Sequence, residues 1–206
     1  MEIKKIETPV FGTNCYLLEN EQCALIIDPG ELTPELVAFC QNNYNKPQKA
    51  ILLTHCHFDH IGALDDTRKL FDAKVYISDI GNKGLSDPDI NVSRFLTGTP
   101  FTVKGADVFL NDNDVLDFGG EKIKVMATPG HTACSVCFIL DDKIFSGDTI
   151  FKMNIGRYDL PTSNPRQLLE SLNRIKKLKG DYRIYSGHGE DTTLEYERKN
   201  NPYLKD

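Results

Sequence analysis

No apolar run in this sequence approaches the ~20 residues that a membrane-spanning helix needs, so no membrane association is expected. The first residues, Met1-Glu2-Ile3-Lys4-Lys5-Ile6-Glu7, lack the apolar core of a secretory signal peptide. Positive charge is also short: 24 Lys and Arg stand against 30 Asp and Glu, a formal net charge of -6 and a sequence pI near 5.4. Proteins that grip a phosphate backbone carry a basic face, so nucleic acid is not the expected partner. The 15 glycines and 10 prolines are scattered, which leaves no linker, low-complexity segment or disordered tail. The expectation is a soluble, cytoplasmic protein acting on a small molecule, with its oligomeric state open. At 206 residues and 40% hydrophobic, the chain reads as one domain, 1-206, around one sizeable core.

Six cysteines, Cys15, Cys23, Cys40, Cys56, Cys134 and Cys137, would suit disulfides in a secreted domain, but nothing marks the chain for export and they read as reduced. Cys134-Ser135-Val136-Cys137 is formally C-x-x-C, yet it opens an apolar stretch running to Leu140, where cysteine behaves as a small buried hydrophobe. Histidine is scarce as well. Of only five, three crowd into Thr54-His55-Cys56-His57-Phe58-Asp59-His60, and the other two, His131 and His188, each follow a glycine. Neutral imidazole is the commonest nitrogen ligand for metals such as zinc, so H-x-H-x-D-H points to a metal site. His131 or His188 alone would be a turn or surface residue. In an extended segment the Cys56 side chain points away from the face shared by His55 and His57, which makes it a packing residue or a support behind the ligands rather than a ligand.

Strand patterns fall at Ile3 to Ile6, Cys15 to Leu18 and Ala24 to Ile27, the last stopped by the turn Asp28-Pro29-Gly30. Thr33-Pro34 caps a helix with Leu36, Val37, Phe39 and Cys40 apolar. Ala50 to Leu53 is short and uniformly apolar, a central strand, so the histidine cluster hangs from a strand's carboxyl end. Asp59 starts the next helix, either as its cap or as a ligand or both, and Lys74 to Ser78 returns as a strand. Residues 79 to 100 read as a long loop or short irregular helix near the site, a place for substrate selection. Further strands follow at Phe101 to Val103, Val115 to Phe118, Ile123 to Ala127, Val136 to Leu140 and Lys143 to Phe145, with a hairpin turn at Asp141-Asp142. Asn164-Pro165 caps a helix, Arg183 to Tyr185 is a strand, and a last helix covers Thr193 to Asn200. An α/β protein with two sheets back to back and helices outside fits this order.

His55-x-His57-x-Asp59-His60, followed in order by Gly130-His131-Thr132, Gly147-Asp148 and Gly187-His188, resembles the metallo-β-lactamase superfamily, and within it the glyoxalase-II-like hydrolases. Gly12-x-Asn14-Cys15-Tyr16-Leu17, Ile27-Asp28-Pro29-Gly30, Gly156-Arg157-x-Asp159-Leu160-Pro161 and the tail from Thr192-Thr193 through Glu197 to Asn201-Pro202 extend the likeness over nearly the whole chain. The resemblance implies a four-layer αββα sandwich with two divalent metal ions, zinc first, iron or manganese as alternatives. It implies that His55, His57 and His131 hold one ion, that Asp59, His60 and His188 hold the other, and that Asp148 bridges them. The implied reaction is attack of metal-bound hydroxide on a thioester or ester carbonyl, with Asp59 and Asp148 in catalytic roles. Arg157 and Asp159 could orient a ligand or substrate, or could equally be a structural clamp. The chain departs from glyoxalase II in ending at Asp206, soon after His188, with no separate C-terminal helical domain for the glutathione part. Poor activity on lactoylglutathione is the consequence expected.

A mononuclear iron enzyme resembling persulfide dioxygenases is the alternative, since the first ligand trio and Asp148 would serve it too. The absence of an export signal, and Asp148 where a cysteine could stand, speak against a true β-lactamase. A flavodiiron reductase normally has glutamate in place of His57. A non-catalytic zinc protein would want closed, thiolate-rich sites.

Overall fold

The computed structural model describes residues 1–205. The chain forms fourteen strands and seven helices among these residues. In the amino-terminal half come β1 (Glu2–Glu7), β2 (Asn14–Glu19), β3 (Cys23–Ile27), α1 (Pro34–Asn42), β4 (Gln48–Leu52), α2 (Phe58–Ile61), α3 (Leu64–Phe71), β5 (Lys74–Ser78), α4 (Asp79–Leu85) and α5 (Ser93–Thr97). β6 (Val108–Leu110), β7 (Val115–Phe118), β8 (Glu121–Ala127), β9 (Val136–Leu140), β10 (Lys143–Gly147), β11 (Ile150–Phe151) and β12 (Asn154–Ile155) follow. The chain closes with α6 (Pro165–Lys176), β13 (Arg183–Ser186), β14 (Thr192–Thr193) and α7 (Leu194–Asn200).

One six-stranded sheet has the order β1-β2-β3-β4-β5-β6 and the other the order β14-β13-β10-β9-β8-β7. Strands β3 to β6 run parallel, as do β10 and β13, so several carboxyl ends gather on one rim. Side chains alternate across each strand. Tyr16, Leu18, Leu25, Ile27, Ala50 and Leu52 point inward to meet Val125, Phe138 and Phe145 of the second sheet. Leu17, Ile26 and Ile51 point outward onto Leu36, Phe39, Cys40, Leu64 and Phe71 of α1 and α3. On the far side Cys137, Ile144 and Ile184 pack against Leu168, Leu172 and Ile175 of α6. Both faces of each central strand are covered, which explains why β2, β3 and β4 read as unbroken apolar runs rather than alternating ones. The result is the four-layer αββα sandwich of the sequence reading.

Helix caps follow the sequence. Thr33 Oγ1 accepts from the Leu36 amide, and Asn164 Oδ1 from that of Gln167. Several details differ. Asp59 sits inside the first turn of α2, and the cap position is His57. The helix then breaks, because the Ala63 amide donates to the Pro29 carbonyl at 2.9 Å before α3 begins. Phe101 to Val103 is not a strand: the Phe101 carbonyl accepts from Asn91 Nδ2 at 2.8 Å and the Val103 amide donates to the carbonyl of Leu85 at the end of α4, so its backbone bonds do not go to a neighbouring strand. The edge strand is β6, paired with β5. The short hairpin β11–β12 carries no periodicity that could announce it.

Candidate metal centre

The strand tips place the site. After β4 the Thr54 amide donates to Asp28 Oδ1 (2.8 Å), and the Val136 amide of β9 donates to the Thr54 carbonyl (2.9 Å), stitching the two sheets together beside the H-x-H-x-D-H loop. His55 and His57 follow β4, Asp59 and His60 lie on α2, His131 joins β8 to β9, Asp148 follows β10 and His188 follows β13. All seven meet at one rim between the sheets. A ligand atom from each of His55, His57 and His131 lies within 4.8 Å of the others, and the same holds for Asp59, His60 and His188. Asp148 touches both groups. Its Oδ2 is 3.4 Å from His131 Nε2 and 3.5 Å from His188 Nε2, and its Oδ1 is 3.3 Å from His60 Nε2.

Hydrogen bonds on the far side of each ring settle the tautomers. A carbonyl can only accept, so His131 Nδ1–H donates to the Arg157 carbonyl (2.8 Å) and His188 Nδ1–H to that of Gly12 (3.1 Å). His60 Nδ1–H donates to Asp28 Oδ2 (2.9 Å). The Thr54 hydroxyl spends its proton on Asp28 Oδ2 (2.6 Å), so at 3.0 Å it accepts from His55 Nδ1–H. With that proton on Nδ1, the neutral form of each of these four imidazoles turns a bare Nε2 to the pocket, the arrangement metal-bound histidines need. His57 turns its Nδ1 to within 2.9 Å of His131 Nε2. Asp28, His55 and His60 also cluster closely, but the contacts above occupy both Asp28 oxygens, which makes this carboxylate a brace behind the histidines.

Do these residues fit metal ions? Among the described residues His55 Nε2, His57 Nε2, His60 Nε2 and Asp148 Oδ1 are buried without a hydrogen-bond partner. Each such atom costs about 1–3 kcal/mol, so four around one pocket call for an occupant that satisfies them together, as divalent cations do. Space is kept for one: a Cβ at Gly187 would lie 2.1 Å from Asp148 Oδ1 and 2.8 Å from His60 Cε1.

The two groups differ electrostatically. Burial, helped by the neighbouring imidazoles, holds His55 well below its ordinary range, and burial takes His57 down to about 3. Burial also pulls on His60, but Asp148, Asp59 and Asp28 outweigh it and hold this imidazole well above its ordinary range. For His188 the hydrogen bonds to Asp148 and Asp59 overcome burial and raise it to about 9. Asp59 goes down to about 2 and Asp148 well below its usual range, burial being outweighed by His60 and His188.

Arg157 and Asp159 bind each other through two contacts (2.8 and 3.0 Å) and are both exposed. It is the main-chain carbonyl of Arg157 that reaches a metal-site residue. Cys56 packs against Cys134, sulfur to sulfur 3.5 Å, and all six cysteines are free and buried. Sequence reasoning passed over Asp28 as a turn residue and Thr54 and Thr13 altogether. The available signal was topological: β3 and β4 run parallel with Ile27 beside Leu52, so the residues just beyond them share one rim. Among the described residues no helix is long and apolar enough to cross a membrane.

The sequence model of the metallo-beta-lactamase superfamily matches residues 8–188. The chain is 37% identical to a probable metallo-hydrolase of Streptococcus pyogenes, over 99% of this chain and 90% of the relative. It is 32% identical to a hydroxyacylglutathione hydrolase of Haemophilus influenzae, over 99% of this chain and 98% of the relative. Among solved structures it resembles the BLEG-1 B3 metallo-beta-lactamase, with 38% identity, a TM-score of 0.92 and 100% of both chains covered. A protein crystallised in a di-iron-bound form is 32% identical, with a TM-score of 0.82 over 98% of this chain and 100% of the other. This chain belongs to the metallo-beta-lactamase superfamily, as a metallo-hydrolase with histidine and aspartate clusters suited to divalent metals.

Proposed function

We propose that the protein is a dinuclear hydrolase of thioesters or esters, with His55, His57 and His131 at one ion, Asp59, His60 and His188 at the other, and Asp148 between them. The observation that carries this reading is Asp148, one carboxylate facing histidines of both groups with its buried Oδ1 unpartnered. Two divalent cations bound there supply Lewis acidity, making a water acidic near neutral pH and polarising the attacked carbonyl. Asp59, held by the Thr13 hydroxyl at 3.2 Å, would help hold the second ion and orient a water there. Leu96, Phe151, Ile155 and Leu160 line the pocket and limit competing water. A thiolate leaves without a dedicated acid, and among the described lining residues no side chain stands out as one. The hydroxyacylglutathione hydrolase among the relatives supports thioester chemistry, and the chain spans 98% of it, so that relative carries no extra domain of any size.

The test is metal analysis of protein purified without chelator, then turnover of a thioester panel. Two ions per chain and chelator-sensitive hydrolysis are expected. A single iron, no second metal under replete conditions and oxygen uptake with persulfides would replace this reading by the dioxygenase one. The likeness to BLEG-1 favours a second reading, β-lactam hydrolysis, which the same preparation tests with a β-lactam in place of the thioester.

A further inference from the structure

Beside the metal pocket of about 340 Å³ lies a larger cleft of about 460 Å³. Phe11, Leu32, Phe58, Thr97, Pro100 and Phe101 form much of its wall. Chain connectivity makes the two adjoin. Phe58 stands between His57 and Asp59, Thr97 follows Leu96 of the metal pocket, and Phe11 precedes Gly12, whose carbonyl holds His188. Phe11 and Phe58 meet edge to face at 5.0 Å. Leu32, Phe11 and Leu96 are nevertheless 45 to 46% exposed, apolar surface left open around the entrance. Grouped apolar exposure of this kind marks a surface that something covers.

Charge narrows what that is. Among the described residues lining the larger cleft no side chain is a cation. Its one charged side chain among these is Glu31, whose Oε1 accepts the Val10 and Phe11 amides. A phosphate or carboxylate lodged in this cleft, as opposed to the metal pocket, would meet no lining cation and would lose hydration without compensation. Resting on the hydrolase reading of the metal centre, we propose that this cleft binds the non-reacting part of the substrate, and that this part is an uncharged apolar group, an alkyl chain or aryl ring. The end of the segment without clear periodicity, residues 93–100, then supplies one wall of the specificity pocket together with Phe101.

The metal-loaded full chain should be assayed with N-acetylcysteamine thioesters from acetyl to octanoyl, and with acetyl thioesters of thiols of rising alkyl length. In one of the two series kcat/KM should rise about three- to fourfold per methylene until the cleft is filled, the factor that burying a CH₂ supplies. Lactoylglutathione should fall below the longest apolar substrate. Leu32→Lys, at an exposed position, should flatten the series and raise the relative rate on a succinyl thioester. Independently of catalysis, the metal-free chain should bind the neutral dye N-phenyl-1-naphthylamine, octanamide should displace it, and Leu32→Lys should weaken it. Flat series in an active enzyme, preference for lactoylglutathione, or no dye binding would each overturn the proposal. Dye binding sensitive to Leu32→Lys, with no thioester or ester hydrolysed, would instead support the apolar cleft and defeat the hydrolase reading.

Discussion

Asp148 faces His131 and His188 through one oxygen and His60 through the other, whereas His188, besides Asp148, faces only the group of Asp59 and His60. Asp148→Ala should therefore weaken both ions and cut turnover by more than the roughly 10- to 100-fold typical of outer partners, while His188→Ala should cost chiefly one ion. Metal stoichiometry after gel filtration checks this, and an Asp148→Ala protein with two ions and ordinary turnover would refute the bridge. The imidazoles also differ in proton load. His188 is raised to about 9 in the metal-free protein, so below that pH it carries a proton that a cation must displace, whereas His57 at about 3 carries none near neutrality. Affinity for the ion at Asp59, His60 and His188 should thus climb as pH rises from 6 toward 9, and fall first on acidification, while the other ion holds on further. Metal titrations at pH 6 and 8 decide it; equal pH dependence of the two ions would contradict the electrostatic contrast.

At the scale of elements, α7 holds the β11–β12 hairpin in place. Buried Glu197 accepts from the Met153 amide (2.9 Å), Asn201 Nδ2 (2.8 Å) and the Thr192 hydroxyl (2.6 Å), and Asn201 Nδ2 also reaches the Asn154 carbonyl (3.0 Å). The hairpin contributes Phe151, Asn154 and Ile155 to the metal pocket and leads into Arg157, whose carbonyl orients His131. Glu197→Ala strands several buried donors at about 1–3 kcal/mol each, so a loss of about 3 kcal/mol in unfolding free energy is expected. Urea denaturation measures it, and a change below about 0.5 kcal/mol would show that the clamp adds nothing.

For the whole molecule, the site joins two sheets: His55, His57, Asp59 and His60 follow strands of one, and His131, Asp148 and His188 follow strands of the other. Ions bound there favour the folded state by mass action, about 2.7 kcal/mol for each ion present at a hundred times its Kd. Chelation should lower the thermal midpoint and added zinc should restore it. An unchanged midpoint would mean the folded chain does not bind zinc at this site.

How much of this was legible beforehand follows from distance along the chain. The H-x-H-x-D-H run is local, so its ligand character shows in composition and spacing, and the covered central strands show as apolar runs such as Ala24 to Ile27. His131, Asp148 and His188 were recognisable only through ordered motifs, because nothing local says that they meet. Their meeting depends on β10 lying parallel to β13 and on Val136 bonding Thr54 across the sheets. The brace formed by Asp28, the hairpin behind Phe151 and the cleft beside Phe58 were invisible for the same reason: each is made by segments remote in sequence. Local periodicity determined which stretches became strands and helices and which face each one buries. Tertiary packing alone decided which loop ends share a rim, since that requires the strand order and register of two sheets that pattern within one strand does not encode.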